Sequence, residues 1–96
     1  MEIIKVGRAS RATKVAGYIA ALVREQKPIR VRAIGAAALN QAIKAVIIAR
    51  SYLAVNGVDI VCIPVLDTID VNGQPVLITA LDVERRGEQP AVEAAP

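Results

Sequence analysis

The sequence predicts a single two-layer α/β domain in the order β-α-β-α-β-β, with both helices on one face of a mixed four-stranded sheet. Three observations carry this expectation. Strand-like and helix-like stretches alternate twice, the mark of parallel strands joined by crossover helices. The pair Asn72-Gly73 then separates two long extended stretches, which is the strongest short-range hairpin signal. The chain has 96 residues, 54% of them apolar, at a net charge of +3. It is too apolar for disorder and too short for two independent cores.

The elements follow in order. Glu2 to Val6 reads as a strand, with Ile4 and Val6 on one side and Ile3 and Lys5 on the other. Gly7 opens a polar loop in which Ser10 or Thr13 would cap the next helix. That helix is expected over Thr13 to Gln26, where Val15, Ile19, Leu22 and Val23 form an apolar face. Gly17 inside it costs about 1 kcal/mol against Ala, which suggests close backbone packing. Lys27-Pro28 ends the helix, and Ile29 to Ile34 alternates as a strand with Arg30 and Arg32 on one face. A long helix is expected over Ala37 to Ala54, stopped by Asn56-Gly57. Val58 to Val71 is extended, and Pro64 within it argues for an edge position or a bulge. Pro75 to Glu84 returns as the last strand. Two right-handed crossovers stepping in one direction place both helices on the same side. The domain is expected over residues 1–86, with residues 87–96 a flexible tail.

Composition removes several function classes. No stretch approaches the roughly 18 uncharged apolar residues of a membrane span. The start lacks a basic cap and a long apolar run, so it does not read as a signal peptide, and a cytoplasmic protein is expected. There is one cysteine, Cys62, and no histidine, which excludes an internal disulfide and a structural zinc site on ligand chemistry. Neither a phosphate-binding Gly-Lys-Ser/Thr loop nor a dinucleotide fingerprint occurs, so no cofactor is expected.

Charge is divided unevenly. Residues 1–50 hold ten Lys or Arg against Glu2 and Glu25, a net of +8. Residues 51–96 hold Arg85 and Arg86 against seven acids, a net of −5. A basic half of this kind suits a polyanion, while solvated faces of ordinary elements are the plain alternative. The only rings are Tyr18 and Tyr52, too few for a base-stacking platform. Nucleic acid would therefore be held through its backbone, with little sequence reading.

Two places stand out. On the long helix, Leu39, Ala42, Ile43, Val46, Ala49 and Leu53 fall on a broad face suited to the sheet. Asn40, Gln41, Lys44 and Ser51 fall opposite, and Ile47 and Ile48 interrupt that polar stripe. Isoleucines there point to packing against a second copy across a two-fold axis, or to cover by the C-terminal segment. Ile47, Ile48 and Ser51 are the expected dimer contacts. The other place is the first loop, where Arg8, Arg11 and Lys14 lie just beyond the first strand. The carboxyl ends of adjacent parallel strands lie together, so this loop and the turn from Gly35 to Lys44 are expected to share one basic rim. Free N–H groups after Gly35, with Asn40 and Lys44, would assist.

The stretch Ala33-Ile34-Gly35-Ala36-Ala37-Ala38-Leu39-Asn40-Gln41-Ala42-Ile43-Lys44-Ala45-Val46 resembles the stage V sporulation protein S family. So do Gly57-Val58-Asp59-Ile60-Val61-Cys62-Ile63-Pro64 and Val15-Ala16-Gly17, and the likeness runs from Glu2 to Glu84. The family is bacterial and implicated in the control of sporulation and septation. It is in turn similar to Alba, the dimeric archaeal chromatin protein. The resemblance implies an Alba-like fold, dimerisation through the long helix, and a grip on DNA or RNA by Arg8 with Arg11 and Lys14, aided by Asn40 and Lys44. Arg30 and Arg32 are further candidates. One departure is plain: Alba-like proteins use the last hairpin as a basic arm, yet here Asp67 and Asp70 precede the turn, with no Lys or Arg. These acids would repel phosphate.

The leading expectation is therefore a homodimeric or larger, non-catalytic regulator that binds nucleic acid. The alternative is a scaffold that binds other proteins, the basic half of one chain meeting the acidic half of another. Catalysis is disfavoured. Cys62 reads as a small core residue, Asp67 and Asp70 as solvated, and Ser10 and Tyr18 have no base or orienting group beside them.

Overall fold

A computed structural model, describing residues 1–88, has the element order β1 (Glu2–Val6), α1 (Ala12–Arg24), β2 (Ile29–Ala33), α2 (Ala36–Ala54), β3 (Val58–Val71) and β4 (Gln74–Glu88). The four strands form one sheet in the order β1-β2-β4-β3. β1 pairs parallel to β2, from Glu2 opposite Ile29 to Val6 opposite Ala33. β4 runs antiparallel to both β2 and β3. This order and this mixed sheet are those of the Alba-like two-layer sandwich.

The alternation of β2 explains the layering. Ile29, Val31 and Ala33 are buried under the helices, while Arg30 and Arg32 lie on the opposite, open face. The register carries this division across the sheet, bringing Leu81 and Val83 to the helix side and Ala80 and Asp82 to the open side. Val15, Ala16, Ile19, Ala20 and Val23 of α1 and Ala38, Ala42, Ala45, Val46, Ala49 and Leu53 of α2 complete one core. Both helices turn alanines inward, so their axes approach closely over the sheet.

Several local expectations need correction. Neither Ser10 nor Thr13 caps α1. Its N-cap is Arg11, with no side-chain cap bond, because the Ser10 hydroxyl accepts from Gly7 N–H at 2.9 Å instead. Gly17 does not mark close packing: a Cβ built there meets nothing within 4 Å. α1 ends at Arg24, short of Gln26, because Gln26 takes a left-handed conformation with φ 59° and closes the last turn. Ile43 does not face the sheet but is 42% exposed.

Other expectations hold. Gly57 ends the turn after α2 with φ 68°. Asn72 and Gly73 both take positive φ at the β3–β4 turn. β3 is an edge strand, which accommodates Pro64. The register shift in this pair lies between Val58 and Ile60 rather than at Pro64. The tail expected over 87–96 falls outside the described residues from 89 onward, while Gly87 and Glu88 belong to β4. Among the described residues no helix is long and apolar enough to cross a membrane.

Candidate functional site

The parallel β1–β2 pair brings two strand ends, and the two helix starts that follow them, to one end of the molecule. The first loop is closed on itself by Ser10 N–H donating to Gly7 O at 3.1 Å and by the Ser10 hydroxyl on Gly7 N–H. It is then fastened to α2, because the Gln41 amide donates to Ser10 O at 2.7 Å. That bond holds the loop carrying Arg8 and Arg11 against the helix carrying Asn40 and Lys44. Gln41 reads in the sequence merely as part of a polar stripe. Only the fold reveals it as a tether.

Arg8, Arg11, Lys14, Asn40 and Lys44 are all exposed, the first four near this end and Lys44 near the middle of α2. None of the four cations has an ion-pair or hydrogen-bond partner among the described residues. Their setting adds a cost. Neither α1 nor α2 has an acidic residue in its first turn or a side-chain cap, and Lys14 sits in the first turn of α1. Cations near the positive end of a helix dipole are disfavoured by about 0.3–1 kcal/mol each. The same uncapped N–H groups attract anions.

Arg30 and Arg32 are placed differently. On the open face the Arg30 guanidinium donates to both oxygens of Asp82, at 2.6 and 2.9 Å, and lies 3.5 Å from Asp67. Arg32 reaches diagonally across buried Ala80 to donate to Asp67 at 2.7 Å. Arg30 holds Asp82 below the ordinary carboxylate range, and Arg32 does the same for Asp67. Asp67 also accepts from Thr68 N–H at 2.8 Å. The reading of Asp67 as a solvated acid that repels phosphate is thus corrected, because the twisted sheet carries it over Arg32. The charges of Arg30 and Arg32 are offset in the same way. Asp70, nearer the turn, has no such partner among the described residues.

A third set of charges lies at the opposite end. The irregularity between Val58 and Ile60 turns the Asp59 side chain inward, where it is buried. There it accepts from Arg50 Nε at 2.6 Å, Arg86 Nη2 at 3.1 Å and Ile60 N–H at 2.9 Å. The Arg50 bond, helped by Arg86 and Ile60 N–H and opposed by burial, lowers its pKa to about 2. This cluster ties α2 to the start of β3 and the end of β4. It is structural.

The expected dimer contacts separate. Ile47 is 63% exposed, whereas Ile48 is half-buried against the core. Ser51 is exposed and donates to Ile48 O at 2.6 Å. Ile43 adds to Ile47, and the β3–β4 hairpin contributes Leu66 and Leu77, 73% and 67% exposed. The sequence signal for these leucines is their place in an alternating strand beyond the last residue of β2. Thr79 pairs with Ala33, and the hairpin continues from there for about 20 Å, at about 3.4 Å per residue. Leu39 and Leu77 line one cleft, so helix and hairpin form a continuous apolar surface.

No convergent catalytic set appears among the described residues. Cys62 packs half-buried against the core, Ser10 holds the first loop, and Asp67 belongs to the open-face ion network. No group of three His, Cys, Asp or Glu is placed to hold a metal among these residues. The sequence matches the family model for stage V sporulation protein S over residues 2–86. A non-catalytic regulatory protein agrees with that match. With nearly all of the described fold inside the matched segment, the chain belongs to the stage V sporulation protein S (SpoVS) family.

Proposed function

We propose that this protein is a homodimeric, non-catalytic regulator that holds DNA or RNA by its phosphate backbone. The grip is made by Arg8, Arg11 and Lys14 of the first loop and α1, with Asn40 and Lys44 of α2. One observation supports this reading above the others: Arg8, Arg11 and Lys14, without partners among the described residues, are gathered where two uncapped helices begin, with Lys44 further along α2. A chain under selection for stability alone gains nothing from that arrangement. Arg30 and Arg32 act behind this rim, shaping the sheet rather than meeting phosphate first, since aspartates already hold them.

The dimer forms through Ile47, Ile48 and Ser51 of α2, extended by Ile43, Leu66 and Leu77. Large apolar side chains this exposed on contiguous elements support a self-complementary contact. Two rims then double the phosphate contacts. With few aromatic residues to stack bases, the complex reads sequence weakly.

The test is fluorescence anisotropy of a labelled duplex, and of a single strand of equal length, titrated at several salt concentrations. Binding that weakens steeply with salt is expected, and Arg8→Glu/Arg11→Glu abolishes it while circular dichroism stays unchanged. Flat titrations at low salt would overturn the reading and direct the search to protein partners of α2 and the hairpin.

A further inference from the structure

The open face of the sheet carries a cleft of about 670 Å³ where the ends of β1 and β2 meet the overhanging hairpin. That volume lies within the range of small-molecule sites. Its two walls differ in polarity. On one side Lys5 and Arg32 stand opposite each other in the β1–β2 register. Like charges so placed repel. Arg32 gives its Nε to Asp67, whereas the Lys5 ammonium has no partner among the described residues. On the other side Ile69 and Ile78, which the β3–β4 register turns to the open face, supply an apolar surface beside the backbone of Thr68 and Asp70.

The geometry points to a binding site for a small organic anion. Its anionic group would sit on Lys5 and the free edge of Arg32, and its apolar body on Ile69 and Ile78. Arg8, Arg11, Lys14 and Lys44 do not line this cleft, so the site is separate from the basic rim. Its occupant is a compound whose single anionic group lies at one end.

The test uses the full chain, with amide chemical shifts followed as adenosine 5′-monophosphate or phenyl phosphate is added. Adenosine and inorganic phosphate serve as controls. Saturable shifts at Lys5, Thr68, Ile69 and Ile78 are expected with at least one organic phosphate, and weaker or no saturation with either control. Lys5→Met, an exposed change that keeps the side-chain stem, should weaken binding about tenfold, the worth of one charge-assisted hydrogen bond. It should leave the salt dependence of nucleic-acid binding at the rim unchanged. No saturation by either organic phosphate overturns the proposal, as does equal binding of a control or an unaffected Lys5→Met variant. Shifts of the same amides on dilution without any probe would assign the cleft to a second copy of the chain and also overturn it.

Discussion

Neutralising Arg8 and Arg11 separates a phosphate grip from incidental surface charge. The proposed rim has four cations without partners among the described residues, Arg8, Arg11, Lys14 and Lys44, so the proposed dimer would present eight. At about 0.9 per phosphate contact, the slope of log K against log salt should approach −7 for duplex DNA. Arg8→Gln/Arg11→Gln removes four of the eight contacts and should halve the slope to about −3.6. Between 50 and 200 mM salt, the affinity of the unmodified protein should then fall by roughly four powers of ten, and that of the variant by roughly two. Anisotropy titrations at four or five salt concentrations measure both slopes. Thermal melting supplies a second readout. Both side chains are exposed, and Arg11 occupies the N-cap of α1, so removing their charge relieves the positive helix end and should raise stability by a few tenths of a kcal/mol. Weaker salt dependence with equal or greater stability is the signature of charge retained for a ligand. A variant slope equal to that of the parent would refute the assignment of these two arginines. A loss of stability would refute the argument from the helix dipole.

Three further predictions follow from the packing. Gly17→Ala should stabilise the protein by up to about 1 kcal/mol, read as a rise in melting temperature, because the added Cβ enters open space on an exposed helix face. Asp59 has its pKa lowered from 3.8 to about 2, so its stabilising contribution is present above pH 4 and lost as pH falls through about 2. Asp59→Asn should lower the melting temperature at neutral pH and flatten its decline between pH 4 and 2. Ile47→Glu/Leu77→Glu should yield a folded monomer by light scattering with an unchanged circular dichroism spectrum, since both side chains are exposed within one chain.

The elements themselves were legible because each carries a local signal. The two-residue alternation of β2, the Asn72-Gly73 turn and Gly57 after α2 all express backbone or side-chain preferences that act within a few residues. The cations of the first loop and of α2 are read as easily, and the parallel strand pair brings the loop beside the start of α2; their action as one rim is what we propose. Illegible features depend on register and twist. That Asp67 crosses Ala80 to reach Arg32 follows from pairings far apart in the chain. The inward turn of Asp59 follows from an irregularity that no residue type announces. Ile43 and Ile48 exchanged places relative to their expected exposure because α2 packs on α1 and the sheet together, which shifts its buried stripe. The Gln41 tether needed a backbone carbonyl as its partner, and sequence patterns record side chains alone.

The electrostatic argument for function rests on which cations the fold leaves unpaired, more than on net charge. Arg30, Arg32, Arg50 and Arg86 each meet an aspartate delivered by the β3–β4 hairpin. Three of the seven acids of the second half thus hold arginines, three of those arginines come from the basic first half, and a net of +3 conceals that internal cancellation. Among the described residues Lys5, Arg24 and Arg85 also lack an acidic partner and lie elsewhere, but Arg8, Arg11 and Lys14 gather at the end where both helices start, the end at which positive charge is least favourable, with Lys44 further along α2. Neutralisation by aspartate was open to these positions as it was to the others, since the chain places three aspartates against four arginines elsewhere. An anion arriving from outside would relieve the same repulsion that the absent acids leave standing. On that ground a phosphate backbone fits the rim better than an acidic protein surface does: regularly spaced phosphates match several cations at once, and the uncapped N–H groups favour compact oxyanions.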